Sequence, residues 1–186
     1  MKQAVFYVII VFTVFSCTGN KQQEYSEVPI HDSEMITVNM DTVLEKPAAP
    51  VAIDSKSANR NDIVDFAKTQ IGIPYKWAGT DPKDGFDCSG FITYVFNHYN
   101  IQVPRSSVNF TNVGKPVELA VAKPGDLILF TGTDSTIRIV GHMGIVVENV
   151  DTLRFIHSTS GKQYGVTITA LNTYYMGRFV KVIDIF

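Results

Sequence analysis

The apolar residues of this chain change period near residue 100, and that change limits the fold more than any other feature. Up to that point they recur at helical spacing, first as Ile63, Val64, Ala67 and Ile71, then as Phe91, Ile92, Val95, Phe96 and Tyr99. Beyond it they fall into short runs of strand length: Leu127–Phe130, Ile139–Val147, Leu153–His157, Val166–Ile168 and Phe179–Ile185. Asn61 or Asp62 can cap the first helix, and Gly72 followed by Pro74 should stop it. The second helix should begin at Cys88 with Asp87 as its N-cap and run to about Asn100. Lys123-Pro124-Gly125-Asp126 reads as the turn into the first long strand. Helices followed by an antiparallel meander give an α+β fold, with N-terminal helices packed on a small antiparallel β-sheet. No internal repeat is visible.

The 186 residues are enough for one domain plus extras. Residues 1–17 read as a processing segment: Lys2 is a minimal charged region, Ala4–Phe15 is an apolar run of signal-peptide length, and Val14-Phe15-Ser16-Cys17 places a small residue directly before a cysteine. That ending loosely resembles a bacterial lipobox, which implies cleavage before Cys17 and lipidation of its thiol and new amine. The alternative is a short anchor helix left uncut. Both take the protein out of the cytoplasm, and Thr18, standing where an aspartate often marks inner-membrane retention, favours an outer membrane facing the periplasm. Residues 18–60 are polar, carry seven acidic and four basic side chains, and keep no period, as expected of a flexible tether spanning about 35 Å. The alternative is a tail that packs on the domain, for example through a strand at Met35–Met40. The folded domain is expected from 61 to 186. It holds eleven acidic and eleven basic residues, with no basic patch for nucleic acid. Two cysteines this far apart in role suggest no disulfide framework.

Cys88 lies in Asp84-Gly85-Phe86-Asp87-Cys88-Ser89-Gly90-Phe91, at the expected helix start. The positive end of a helix dipole stabilises a thiolate, the nucleophilic form. A small buried cysteine is the plainer reading of such a residue. Of four histidines, His31 lies in the tether, and His98 sits about three turns from Cys88 as a surface residue or dipole partner. His142 and His157 each end an apolar strand, and neighbouring strands about 4.8 Å apart would let them touch. A nucleophilic thiol needs a base, and the base needs a polar group to fix its tautomer. Cys88, His142 and His157 could fill those posts in that order. They could also ligate zinc, although no Cys-x-x-Cys, His-x-x-x-His or carboxylate stands at ligand spacing.

At these residues the sequence resembles the NlpC family of papain-like bacterial cell-wall cysteine peptidases. Six blocks in order carry the resemblance: Gly72-Ile73-Pro74-Tyr75-Lys76-Trp77-Ala78-Gly79, Phe86–Phe91, Val103-Pro104-Arg105-Ser106-Ser107, Lys123–Phe130, Gly141–Val146 and Phe155-Ile156-His157-Ser158. The resemblance implies Cys88 as nucleophile, His142 as general base and acid, His157 as orienter, and Tyr75 with the Cys88 N–H as oxyanion donors. It implies hydrolysis of peptidoglycan stem peptides without a cofactor or metal, at the bond from γ-D-glutamate to a diamino acid such as meso-diaminopimelate. A lipid-anchored monomer in the cell envelope fits that substrate.

Asp87 and Ser89 could hold the peptide's polar end or simply cap the helix. Arg105 could meet a carboxylate or cap a turn, and Trp77 is expected to pack. Ala78 replaces a frequent glycine, tolerable if its φ is negative, and Phe110 replaces a frequent glutamine. The connections Asn149–Leu153 and Gly132–Arg138 are long, and the latter could rim the cleft. Residues 18–60 are too short and polar for an accessory wall-binding domain, so an open groove suited to intact stems is expected. Other readings are a different thiol acyl-transfer enzyme, such as an amidase at the glycan junction, or a silent wall-binding lipoprotein.

Overall fold

The computed structural model describes residues 51–55 and 57–186. The expected signal segment, the Cys17 lipidation site, His31 and the Met35–Met40 strand lie outside them. Among the described residues, no helix is long and apolar enough to cross a membrane.

Helix α1 spans Arg60–Lys68. Its cap is Asn59, ahead of the expected Asn61 or Asp62: Asn59 is extended and its side-chain oxygen accepts from the Asn61 N–H at 2.8 Å. Ile63, Val64 and Ala67 form the buried stripe. The helix ends before Gly72, because Gln70, Ile71 and Ile73 enter a series of tight turns. Ile71, expected on the apolar face, is 51 % exposed as a result. After a two-residue hairpin, β1 (Thr80–Asp81) with β2 (Gly85–Phe86), comes α2, Cys88–His98. Asp87 caps it, its carboxylate accepting from the Gly90 N–H at 2.6 Å. Phe91, Ile92, Val95 and Phe96 are fully buried, each contributing about 1.5–3 kcal/mol of gross burial. His98 lies exposed in the last turn and stacks on Phe66, ring centroids 3.8 Å apart.

The remainder forms a six-stranded antiparallel sheet: β3 (Lys115–Val117), β4 (Leu127–Thr131), β5 (Val140–Glu148), β6 (Arg154–Thr159), β7 (Gly165–Ala170) and β8 (Phe179–Asp184), in the order β3-β8-β4-β5-β6-β7. The fold is α+β, with α1 and α2 against one face. Side-chain alternation separates two cores. Leu127, Leu129, Met143, Ile145 and Ile156 join the helices, whereas Ile128, Phe130, Val146, Phe155 and Val182 form a second cluster with Tyr175. Tyr175 comes from α3, Thr173–Arg178, a single short helix capped by Asn172.

Sequence reading misses α3 and β3. Six residues are too few to show a period, and β3 is a three-residue edge strand containing Pro116, paired with β8 alone. One ion-pair cluster ties the ends together. Arg60 bonds Asp126 at 2.5 Å and also Asp184, while Asp126, 1 % exposed, accepts the Lys123 N–H in the turn before β4. Val51, read in the sequence as tether, forms a parallel bridge with Val113 through bonds to Asn112 and Gly114, and Ile53 and Ala58 pack on the helical core.

The segment before α2 shows where sequence and conformation disagree. The Gly79 N–H bonds the Lys76 carbonyl at 2.9 Å, closing a turn with Trp77 and Ala78 at its tip. Ala78 has φ +58°, not the negative value expected. It occupies the third turn position, where the left-handed conformation favours glycine. Trp77, expected to pack, is 83 % exposed at the same tip. The left-handed conformation costs an L-residue roughly 1–2 kcal/mol, partly offset by the lower unfolded-state entropy of alanine. Ala78→Gly should therefore stabilise the domain by about 0.5–1 kcal/mol in urea unfolding; a destabilised variant would contradict the strain assigned to this turn.

Candidate active site

The start of α2 is held by backbone contacts that only glycine allows. A Cβ on Gly90 would stand 2.0 Å from the Gly79 carbonyl oxygen, and one on Gly79 would stand 2.2 Å from that of Gly85. The same Gly79 carbonyl accepts the Asp87 N–H at 3.1 Å. Cys88 is thereby fixed as the first helical residue in a cleft of about 910 Å³. Its Sγ lies 3.9 Å from the Gly141 carbonyl oxygen, on the strand that carries His142. Tyr75 reaches the same cleft because residues 72–76 run between β7 and β2, bonded to Tyr164, Val166 and Phe86.

His142 and His157 project from the same face of β5 and β6. His142 Nε2 and His157 Nδ1 are 2.8 Å apart, and His157 Nε2 lies 2.9 Å from Thr169 Oγ1 on β7. Gly144, between them in the ladder, leaves room: a Cβ there would stand 3.2 Å from that of His157. His157 is fully buried, whereas His142, Cys88 and Thr169 line the cleft. With Nε2 of His142 engaged, Nδ1 is the nitrogen left to take a proton. For it to be free, His142 Nε2–H donates to His157 Nδ1, and His157 Nε2–H donates to Thr169. Thr169 is absent from the sequence-derived set. A threonine in an apolar-polar alternation carries no signal of its own, and only strand register could have exposed it.

Electrostatics departs from the sequence expectation of an activated thiolate. The N–H groups of Cys88, Ser89 and Met143 do favour the thiolate, but burial and then the Asp87 carboxylate outweigh them, pushing the thiol to about 11. Burial, with the Arg178 charge second, lowers His142 to about 3. His157 falls well below the usual imidazole value through burial, then the charges of His142 and Arg178. At neutral pH the Cys88 thiol and the His142 imidazole are thus both uncharged. Burial and the neighbouring Cys88, Asp87 and Tyr164 also raise the Tyr75 phenol, keeping it protonated and able to donate.

One wall of the cleft is a polar network. Arg105 donates to both Asp87 oxygens, at 3.1 and 2.7 Å, and to Ser89 Oγ at 2.9 Å. Asp87 and Ser89 thus sit beside Cys88 and in the cleft lining while also serving the helix start, and Arg105 joins them. Gly132 and Thr133 of the long β4–β5 loop line the cleft, as does the exposed Trp77. Phe110 is buried in the helical core, away from that lining. Among the described residues, no three His, Cys, Asp or Glu side chains are grouped to hold a metal ion.

Comparison with known proteins gives a consistent family. The model of the NlpC/P60 family matches residues 72–183. The gamma-DL-glutamyl hydrolase of Bacillus subtilis is 34 % identical over 118 residues, which cover 63 % of this chain and 28 % of that protein. The probable peptidoglycan endopeptidase LytE of the same organism is 39 % identical over 119 residues, covering 64 % of this chain and 32 % of LytE. The chain therefore matches under a third of the length of each. Among solved structures, an NlpC/P60 family protein from Bacillus cereus superposes with a TM-score of 0.61 at 31 % identity, over 68 % of this chain and 40 % of that one. The NlpC/P60 domain of the peptidoglycan hydrolase SagA superposes with a TM-score of 0.56 at 28 % identity, over 68 % of this chain and 99 % of that domain. The α+β fold is that of these papain-like domains.

The charge on Asp87 raises the thiol, so removing it should lower the pH at which Cys88 becomes a thiolate. Asp87→Asn keeps a capping side chain, and iodoacetamide alkylation of the variant should reach half-maximal rate at lower pH than in the wild type. An unmoved or higher midpoint would contradict the assignment.

Proposed function

The chain belongs to the NlpC/P60 family, and from that premise we propose that it is a cysteine endopeptidase of peptidoglycan stem peptides, cutting between γ-D-glutamate and a diamino acid such as meso-diaminopimelate. One observation carries the reading. The relay from His142 through His157 to Thr169 leaves His142 Nδ1 without a hydrogen bond, and His142 and Cys88 line the same cleft. The names of the relatives, a gamma-DL-glutamyl hydrolase and a peptidoglycan endopeptidase, supply the substrate class.

In this mechanism the substrate amide enters a site whose nucleophile and base are both neutral. His142 Nδ1 takes the thiol proton as Sγ attacks the carbonyl carbon. The electrons of the C=O bond move to oxygen, where the Cys88 N–H and the Tyr75 hydroxyl can donate to the oxyanion. Collapse breaks the C–N bond, and His142 gives its proton to the departing amine. Water, deprotonated by His142, then attacks the thioester, releasing the γ-D-glutamyl acid and restoring the thiol. His157 holds the His142 ring and accepts from it throughout, and Thr169 fixes the His157 tautomer. Asp87 and Ser89, with Arg105, form the polar wall that would receive the acyl side of the stem.

The substrate places the activity in the cell envelope. Residues 1–17 and Cys17 support a lipid anchor there, with Thr18 favouring the outer membrane, and residues 18–50 would set the domain off that surface.

Mass spectrometry of purified muropeptides and stem peptides, incubated with the wild type beside variants, tests the reading. Fragments ending in γ-D-glutamate should form with the wild type and not with Cys88→Ala, which should keep its fold. His142→Ala should lower kcat/KM by about 10³-fold or more, and His157→Ala less, by about ten- to a hundredfold, since water can replace an orienter in part. Cleavage at the lactyl–alanine bond would make the protein an amidase instead. Intact substrate throughout would leave a wall-binding protein.

A further inference from the structure

We propose that Arg178 sets specificity on the leaving-group side of the cleft, binding a carboxylate of the amino acid whose amine departs. The proposal rests on the endopeptidase reading above and adds to it which diamino acid the site takes.

The charges lining the cleft do not balance. Its one carboxylate, Asp87, is already held by Arg105 at 2.7 Å. Two further cations, Lys162 and Arg178, line the cleft with no carboxylate partner among the described residues. They differ in kind. Lys162 is an exposed residue on the β6–β7 connection, whereas Arg178 is partly buried and fixed. Arg178 Nη1 donates to the Tyr174 hydroxyl at 2.5 Å, Nη2 donates to the Thr131 carbonyl at 2.9 Å, and the guanidinium carbon stands 5.1 Å from the Tyr174 ring centroid. Nε is buried without an acceptor among the described residues. Every group that touches this guanidinium is neutral, and a partly buried, uncompensated charge is costly unless something pairs with it. A planar guanidinium held in one orientation is already prepared for a carboxylate.

Its position says which side of the substrate it meets. Arg178 is near enough to His142 and His157 for its charge to oppose protonation of both. His142 must pass its proton to the departing amine, so the group beside His142 faces the leaving amino acid. Asp87 and Ser89 stand at the start of the Cys88 helix, Arg105 is bonded to both, and together they form the acyl side. A carboxylate seated on Arg178 would also cancel the charge that disfavours the His142 imidazolium, so recognition and base activation would share one contact. Diaminopimelate within a stem carries such a carboxylate on its side chain, and lysine in the same place carries none.

Three stems decide it: L-Ala-γ-D-Glu-X-D-Ala with X as meso-diaminopimelate, its side-chain carboxamide, or L-lysine. The wild type should cut the first with kcat/KM at least about tenfold above the other two, the value of one charge-assisted hydrogen bond. In Arg178→Gln that ratio should collapse towards one, and Arg178→Lys should retain part of it. Equal cleavage of all three stems by the wild type, a measurement that needs no variant to fold, would overturn the inference and leave the endopeptidase standing. An equal fall on all stems in Arg178→Gln, with the ratio preserved, would likewise overturn it and make Arg178 a structural residue. Cleavage of no stem would overturn the endopeptidase reading and this inference together.

Discussion

The candidate site depends on a backbone approach too close for any side chain. The Gly79 carbonyl oxygen would stand 2.0 Å from a Cβ at position 90, and that carbonyl also accepts the Asp87 N–H. The contact presses the hairpin against the first turn of α2, so that Cys88, Asp87 and the turn bearing Trp77 move as one piece. The Ser158 hydroxyl, donating to the Phe86 carbonyl at 2.7 Å, fastens that piece to β6 one residue beyond His157. Cys88 and His157 are thus linked through a few backbone atoms and not through long side chains. The Ala78 conformation is a local cost of the same turn.

The second governing effect is desolvation. A cysteine at a helix start should be acidified, and the N–H groups that would acidify it are in place. Burial and Asp87 act the other way and are larger. The two imidazoles are lowered by the same burial. A thiol near 11 and an imidazole near 3 in one cleft leave the proton on sulfur, which spares the resting site a buried ion pair and its solvation cost. On the proposal above, a substrate carboxylate seated on Arg178 would remove one of the charges that oppose the His142 imidazolium.

Much of this was legible before the structure. The switch of apolar period gives the α+β order, and the runs at 127–130, 139–147, 153–157, 166–168 and 179–185 fall on β4 to β8 within a few residues. Cys88, His142, Tyr75, Asp87 and Ser89, separated by up to 67 residues in sequence, line one cleft, with His157 behind it. What escaped has physical causes. The α1 boundaries moved because Asn59 competes with Asn61 as a cap and tight turns supersede Gly72. Trp77 is indistinguishable from a core residue in one dimension and becomes exposed only because Lys76 and Gly79 close a turn around it. Thr169 and Arg178 depend on strand register and on a helix too short to have a period. The sign of the thiol shift depends on burial, which the sequence around Cys88 does not encode.

The charge distribution gives the last step. The domain from residue 61 onward carries equal numbers of acidic and basic residues, so no long-range field draws an anionic polymer to it. Selectivity has to be local. The local pattern is asymmetric: on the Cys88 side a carboxylate and a guanidinium neutralise each other, and on the His142 side a guanidinium meets, among the described residues, only a phenol, a carbonyl and an aromatic face. On the proposal above, a neutral wall on one side and a positive one on the other favour the binding direction that brings the diaminopimelate side-chain carboxylate to Arg178. A stem entering in reverse would bring that charge to the wall already satisfied and leave Arg178 uncompensated beside the base. On that reading, the asymmetry that disfavours the imidazolium in the empty cleft would also select the direction in which a stem peptide binds productively.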